Sequence, residues 1–101
     1  MEQRRTRRFK LQLPLSITRA GAERVTFPGI TRNISSSGVL FTTDIEPDLG
    51  GPIEYVITLN REGAQSVNLR CIGKVLRSEP SAEAPFQIAA TLERYEFVRE
   101  H

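Results

Sequence analysis

The stretch "IEYVITLNREGAQSVNLRCIGKVLR", residues 53–77, decides the fold class of this chain. Apolar residues alternate with polar ones in both of its halves: Ile53, Tyr55, Ile57 and Leu59 in the first, and Val67, Leu69, Cys71 and Val75 in the second. Such alternation is typical of a β-strand with one buried face. The polar segment 60–65, which contains a glycine, separates the two runs. The stretch therefore predicts a long β-hairpin.

Strand patterns also occur on both sides of this hairpin, in residues 11–18, 24–33, 39–43 and 86–93. In the first of these segments, Pro14 predicts an edge strand or a local break in the ladder, because proline has no N–H to donate. In the second segment, Val25 and Phe27 are expected to face inward, and a kink is expected near Pro28 and Gly29. The chain thus has six predicted strands.

The segments between the strands complete the prediction of fold class. Proline and glycine indicate loops at residues 44–52 and 78–85. Six strands with no long helical pattern predict an all-β fold, in which an antiparallel sheet closes into a six-stranded β-barrel. The tail, residues 94–101, is expected to form at most a short C-terminal helix. Its apolar stripe would be thin: Leu92, Tyr95 and Val98.

The first ten residues differ in charge from the rest of the chain. Residues 1–10 hold five of the fourteen basic residues and one of the twelve acidic ones, so they carry +4 while the remaining residues carry −2. We therefore divide the chain into a flexible basic N-terminal arm, residues 1–10, and a single barrel domain, residues 11–101. Concentrated positive charge predicts an anionic partner at the arm.

The residue inventory argues against an enzyme or a metal protein. Cys71 is the single cysteine, expected to be buried and inert, and His101 is the single histidine. The acidic loop residues Asp44, Glu46 and Asp48 predict at most a weak surface cation site. No apolar stretch approaches the roughly 18 residues of a membrane span, and no signal-peptide pattern follows the basic N-terminus, so we expect a cytoplasmic location without membrane insertion.

Two motifs lie on either side of the first predicted strand. In "RRTRR", residues 4–8, Arg4 and Arg8 are four apart and so face the same side of either a strand or a helix. Arginine binds phosphate through a planar fork, and its flat face stacks on nucleic-acid bases. The second motif, "NISSSG" at residues 33–38, has more polar groups than a hairpin turn needs. Together they favour a small anionic ligand with purine edges.

These motifs resemble those of the PilZ family of bacterial domains, which bind cyclic di-GMP on a small six-stranded barrel. The family's RxxxR motif matches Arg4 to Arg8, followed by a hydrophobic strand with Leu-Pro at its middle. The family's second motif, Asp or Asn followed by xSxxG, matches Asn33, Ser35 and Gly38. Both motifs occur in the expected order, and the resemblance spans almost the whole chain.

The resemblance implies a role for each matching residue. Arg4 and Arg8 would clamp the phosphates and stack on the bases of cyclic di-GMP, and Arg5 is close enough to reach around the ligand. On the opposite side, the Asn33 amide and the Ser35 hydroxyl would each offer a donor and an acceptor to a guanine edge. Gly38 would contribute to the shape of the site by allowing the turn to close tightly. No further cofactor is implied.

The same resemblance implies a signalling receptor. The arm is expected to be mobile without cyclic di-GMP and ordered with it, which changes the surface that a downstream protein or a fused domain contacts. Two departures from the family pattern matter for the ligand. The first is Asn33, which stands where Asp is commoner. The second is Gln3, which stands where many relatives have another arginine, and this difference leaves open whether one ligand or a stacked pair binds.

Two other functions fit parts of the sequence. The first is a PilZ-like adaptor that binds no nucleotide and acts through protein–protein contacts, although such adaptors usually lack the motif residues found here. The second is a small barrel that binds nucleic acid through its basic arm. That class displays aromatic residues on an exposed strand face, whereas Phe27, Tyr55 and Phe86 are predicted to face inward, so no specific nucleic-acid partner is expected.

Overall fold

The computed structural model describes residues 11–62 and 65–100, and the N-terminal arm therefore lies outside the described residues. Within these ranges the chain forms seven strands: β1 Pro14–Ala20, β2 Glu23–Ile34, β3 Gly38–Thr43, β4 Pro52–Glu62, β5 Gln65–Pro80, β6 Phe86–Thr91 and β7 Arg94–Glu100. The described ranges contain no helix, and hence none that is long and apolar enough to cross a membrane.

Six of the strands form a closed barrel. Around the sheet, β4, β1, β2, β3, β6 and β5 follow one another, and each pairs antiparallel with its neighbour. Strands β4 and β5 also pair with each other, from Pro52 opposite Lys74 to Glu62 opposite Gln65, and this pairing closes the ring. The predicted six-stranded antiparallel barrel and its long hairpin are thereby confirmed, with β7 as an additional strand.

Alternate side chains fill the barrel interior, as the sequence pattern predicted. The buried hydrophobic residues are Leu15, Ile17, Val39, Phe41, Ile53, Tyr55, Ile57, Leu69, Cys71, Val75, Ile88 and Ala90. Phe41 and Tyr55 lie at the centre with their rings 5.7 Å apart. The Tyr55 hydroxyl donates a hydrogen bond of 3.0 Å to the Thr91 carbonyl oxygen, which satisfies the buried polar end of the side chain.

The tail forms a strand, so the prediction of a short C-terminal helix is wrong. Strand β7 pairs antiparallel with β5, from Ser66 opposite Glu100 to Ile72 opposite Arg94. Strands β6 and β7 lie end to end along the same edge of β5, because β6 pairs with residues 75–80. A thin apolar stripe stabilises an isolated helix poorly, whereas the open edge of β5 offers the tail a complete set of backbone partners.

Gly73 marks the place where β6 ends and β7 begins. A Cβ atom at this position would overlap the Thr91 carbonyl oxygen and lie 2.7 Å from the Thr91 carbonyl carbon. The Thr91 hydroxyl accepts a hydrogen bond from the Lys74 N–H at 2.8 Å and donates one to the Glu93 carboxylate at 2.9 Å. The backbones therefore approach closely at this junction, and only glycine fits.

The structure refines two local predictions at prolines. Strand β1 is not an edge strand, because it lies between β2 and β4, but its pairing with β4 begins only at Leu15, so that Pro14 stands where that ladder is interrupted. Strand β2 keeps its register at Pro28 and Gly29 themselves, and register shifts lie on either side: between Arg24 and Phe27 in the pairing with β1, and between Thr31 and Asn33 in the pairing with β3. The shift between Thr31 and Asn33 positions part of the candidate site.

Candidate functional site

A three-residue turn, Ser35 to Ser37, joins β2 to β3 and is held by the Ser35 side chain. The Ser35 hydroxyl donates to the Gly38 carbonyl oxygen at 3.1 Å and accepts from the Gly38 N–H at 3.1 Å and the Ser37 N–H at 3.3 Å. The backbone adds a bond of 2.9 Å from the Ser35 N–H to the Gly38 carbonyl. A hydroxyl has one donor and two acceptor positions, and all three are engaged in the turn.

Gly38 is required by close packing. Its φ is not positive, since only Gly21 and Gly50 have positive values among the described residues. A Cβ on Gly38 would lie 2.9 Å from the Ala90 carbonyl oxygen of β6. The glycine thus lets β3 start against β6, and the Leu92 N–H bonds to the Ser37 carbonyl at 2.9 Å on the same side of the turn.

A β-bulge in β2 aims the Asn33 side chain outward. Thr31 is buried opposite the core residue Phe41, so regular alternation would place Asn33 inside the barrel as well. The register shifts by one residue at Arg32, and Asn33 instead stands opposite Leu40 on the outer face. Bulges are known to re-aim side chains in this way.

A second bulge, in β5, does the same for Arg77. Val75 is buried opposite Ala90, and the register shift at Leu76 brings Arg77 opposite Ala89 on the outer face. Leu76 itself stays largely exposed. The outer faces of four neighbouring strands are thereby brought into one row.

We call this row, Asn33, Leu40, Ala89 and Arg77, the outer row. Its neighbours are directly paired across β2, β3, β6 and β5. At a strand spacing of about 4.8 Å, the row spans roughly 14 Å from Asn33 to Arg77. The small Ala89 side chain leaves a depression between Leu40 and Arg77. The row and the adjoining turn line a cleft of about 360 Å³, which is at the lower end of the range for small-molecule sites.

Charge in the cleft comes from Arg77. Arg32, the extra residue of the bulge in β2, forms an ion pair with Glu83, whereas no carboxylate of a described residue lies within 4.0 Å of Arg77. The Asn33 amide likewise makes no hydrogen bond to a described residue. Because no described residue engages these two groups at the ends of the row, the cleft is suited to an anion that also carries hydrogen-bonding edges.

The start of the described chain is fixed beside the outer row. The Thr31 hydroxyl donates to the Leu11 carbonyl and accepts from the Leu13 N–H at 2.8 Å. The Thr31 N–H donates to the Leu13 carbonyl at 2.9 Å. Residues 11–13, which precede β1, are therefore held beside β2 at Thr31. Thr31 lies two residues before Asn33 in the same strand.

The ionisable groups of the interior are held in their neutral forms. Burial raises the pKa of the Cys71 thiol from 9.0 to about 12, and burial also raises the pKa of the Tyr55 hydroxyl above its ordinary 10.0. Cys71 is fully buried with its Sγ 3.7 Å from the Leu69 carbonyl, in agreement with the predicted inert thiol.

The acidic loop residues Asp44, Glu46 and Asp48 are not arranged as a metal site in the described part of the chain. Within residues 11–62 and 65–100, no three His, Cys, Asp or Glu side chains are placed to share a metal ion. Glu46 instead accepts a hydrogen bond of 2.8 Å from the Ser78 hydroxyl.

The structure brings together three of the predicted site residues, Asn33, Ser35 and Gly38, in one cleft. Arg4, Arg5 and Arg8 lie outside the described residues. Sequence reasoning missed the other side of the cleft: Leu76, Arg77 and Ala89. One signal for it existed, because the apolar Leu76 directly follows Val75 and so interrupts the alternation of the strand.

The comparisons with known proteins give one match. The family model for the PilZ domain matches residues 2–97 of the 101-residue chain. This match includes both sequence motifs and all four members of the outer row. No curated protein and no solved structure matches the chain.

Proposed function

We propose that this chain, which belongs to the PilZ domain family, is a receptor for cyclic di-GMP that holds its ligand between the outer row and the N-terminal arm. It acts as a binding domain and not as an enzyme. The observation that carries the proposal is the convergence of two separate chain segments. The outer row and turn line one cleft, and the chain entering β1 is bonded to Thr31, two residues before Asn33.

Chain length supports a ligand shared by both segments. Arg8 is three residues before Leu11, and an extended chain spans at most about 3.6 Å per residue, so the two Cα atoms are within roughly 11 Å of each other. A long arginine side chain adds further reach. A ligand seated on the outer row therefore lies within reach of Arg8 and, with an extended arm, of Arg4 and Arg5.

The chemistry of the cleft fits a cyclic dinucleotide. Arg77 supplies a planar cation for a phosphate or for stacking on a base. Asn33, at the other end of the row, supplies a donor and an acceptor for a guanine edge. Leu40 and Ala89 form an apolar floor between them. We assign Ser35 to the shape of the turn, because its hydroxyl is already engaged there.

The energetics require the arm and the barrel to act together. Ordering five residues, Arg4 to Arg8, costs about 5–10 kcal/mol at roughly 1–2 kcal/mol per residue. Two charge-assisted contacts return about 1.5–3 kcal/mol each, which does not cover that cost. Base stacking at about 1–3 kcal/mol per base, together with the contacts of Asn33 and Arg77, supplies the remainder. We therefore propose that the arm is mobile without ligand and becomes ordered when cyclic di-GMP binds.

Calorimetric titration with cyclic di-GMP tests the proposal. We expect the wild type to bind, and Arg8→Ala, Asn33→Ala and Arg77→Ala each to weaken binding at least tenfold. Arg70→Ala is the control for loss of one positive charge, since Arg70 is exposed on β5 about 23 Å along the strand from Arg77, where it pairs with Glu96. Equal effects of Arg70→Ala and Arg77→Ala would reduce the role of Arg77 to general electrostatics.

The alternative is an adaptor that binds no nucleotide, and a wild-type titration without heat at several temperatures would favour it. As a receptor, the chain would pass its signal to a downstream protein or a fused domain that contacts the ordered arm. It would act in the cytoplasm, where a doubly charged nucleotide messenger that cannot cross lipid is available to it.

A further inference from the structure

Strand β7 leaves one edge of the sheet open. Among the described residues it pairs only with β5, and it is the last strand in the sheet order. The segment Arg94–Glu100 carries four charged residues, but it contains no proline or glycine and no register shift, so neither a missing N–H nor a bulge interrupts its outer edge. Its outer edge thus presents unpaired backbone groups suited to another strand.

Two exposed aromatic side chains lie on the face of β7 that continues the inner face of β5. Tyr95 stands opposite Cys71 and Phe97 opposite Leu69, so both aromatics share the face of buried residues. Nevertheless, Tyr95 is 61% exposed and Phe97 is 65% exposed, and their rings contact each other edge-to-face at 6.2 Å. Two adjacent exposed aromatics beside an open strand edge are typical of an interaction surface.

The sequence of β7 is complementary to itself in the antiparallel register that pairs the strand over its full length. With the two-fold axis at Phe97, the middle residue of the strand, Phe97 faces Phe97 and Tyr95 faces Arg99 of the other copy. These are an aromatic pair and a cation–π pair, both favourable across strands. Shifting the axis by one residue, to Glu96, would instead oppose two glutamates, which is unfavourable.

We propose that β7 is the surface through which two copies of this chain associate, by antiparallel pairing of β7 with β7 centred on Phe97. The two sheets become continuous, and the four aromatic side chains form one strip across the junction. Two seven-residue strands bury less than a standard interface, so the dimer is expected to be weak and reversible. The proposal does not depend on cyclic di-GMP, because the contact involves β7 alone.

Disulfide trapping tests the register directly. In the proposed dimer the two Cα atoms of residue 97 lie about 4.5–5.5 Å apart, within the range that a disulfide spans. We expect Phe97→Cys to form a covalent dimer under oxidised glutathione at least ten times faster than Leu49→Cys. Leu49 is the matched control, since it is also 65% exposed but lies in the loop before β4. Cys71 is buried and stays silent.

Sedimentation equilibrium of the full chain supplies the second measurement. We expect the average mass of the wild type to rise with concentration, and Phe97→Lys to weaken association at least tenfold while Leu49→Lys leaves it unchanged. Unchanged thermal unfolding of Phe97→Lys would show that the variant folds. A wild type that stays monomeric up to millimolar concentration, or equal trapping rates for the two cysteine variants, would overturn the proposal. In that case β7 is left available to a strand of a different protein.

Discussion

Asn33 and Ser35 lie two residues apart in the same cleft, yet their side chains have different hydrogen-bond states. The Ser35 hydroxyl is fully engaged in the turn, whereas the Asn33 amide lies in the cleft and bonds to no described residue. The motif in the sequence predicts the same role for both, a hydrogen bond to a guanine edge. At the residue scale, the structure therefore separates a residue that shapes the turn from one to which we assign ligand binding only as part of the proposed function.

This difference predicts two distinct phenotypes. Ser35→Ala should lower the free energy of unfolding by about 1–2 kcal/mol, because the turn N–H groups lose their acceptor, and should weaken ligand binding as well. Asn33→Ala should change stability by less than about 0.5 kcal/mol and weaken only binding. Urea unfolding and calorimetry on the same preparations measure both quantities. A stability loss in Asn33→Ala equal to that in Ser35→Ala contradicts the assignment.

Cys71 predicts a dependence of stability on alkaline pH. Its pKa is 9.0 in an ordinary thiol and about 12 in the folded protein, so above pH 9 the unfolded chain loses a proton that the folded chain keeps. The free energy of unfolding should therefore be highest below pH 9 and then fall by about 1.4 kcal/mol per pH unit for this group. Tyr55, whose pKa is also raised, adds to the fall above pH 10.

The check is urea unfolding of the wild type and Cys71→Ala between pH 8 and 10. The variant is less stable at pH 8 because a buried atom is removed, but its slope above pH 9 should be shallower by the contribution of one proton. Parallel slopes for the two proteins would show that the thiol does not carry the effect.

At the scale of elements, the junction of β5, β6 and β7 depends on Gly73. Gly73→Ala places a Cβ against the Thr91 backbone, which cannot move without disturbing the Tyr55 hydroxyl bonded to it. We expect a loss of about 3 kcal/mol, corresponding to a thermal midpoint lower by at least about 10 °C. Gly51→Ala is the control, because its Cβ would lie 3.3 Å from the Asp48 carbonyl oxygen, a much smaller overlap than at Gly73 and in a loop. Similar midpoints for both variants contradict a tight junction.

The strands could be predicted from the sequence because burial imposes a period of two on each of them. The bulges at Arg32 and Leu76 could not be predicted in the same way. A bulge places two residues of one strand opposite one residue of its partner, and the sequence pattern of a single strand does not show how it is paired. For this reason Asn33 was identified by its motif, whereas Arg77 and Ala89 were missed. Only the adjacency of Val75 and Leu76 hinted at the second bulge.

The tail shows a second limit of sequence reasoning. Leu92, Tyr95 and Val98 have helical spacing, while Tyr95 and Phe97 have strand spacing, and seven residues are too few to decide between them. The tail forms a strand because pairing with the open edge of β5 satisfies the hydrogen-bonding groups of its backbone. Such an edge is a property of the assembled barrel and is not visible in the tail itself.

At the scale of the whole molecule, the proposed receptor consists of a rigid barrel and an arm that responds to ligand. Residues 1–10 contain five basic residues, each a site for trypsin, whereas the basic residues of the strands lie in paired backbone. We expect saturating cyclic di-GMP to slow tryptic cleavage in the arm at least tenfold, as read by mass spectrometry of the released peptides. Ligand binding with unchanged cleavage of the arm would contradict ordering.

Ligand binding should also raise the stability of the barrel. At a free ligand concentration 100 times the dissociation constant, binding to the folded state alone adds about 2.7 kcal/mol, or roughly 10–20 °C in the thermal midpoint of a domain this size. Arg8→Ala should abolish most of this shift while leaving the ligand-free midpoint unchanged. A lower ligand-free midpoint in Arg8→Ala would mean that the arm already packs on the barrel.

The bulge at Arg32 has a consequence for how this protein can change by mutation. Loss of the single codon for residue 32 would restore regular alternation and turn the Asn33 side chain toward the interior, although no chemical group of the cleft had been altered. Insertion of one residue opposite it, in β3, would have a similar result. In the proposed receptor, ligand binding is thus expected to be more sensitive to a one-residue deletion or insertion near the bulge than to most substitutions, and alignments that tolerate one-residue gaps near the motif would group binders with non-binders.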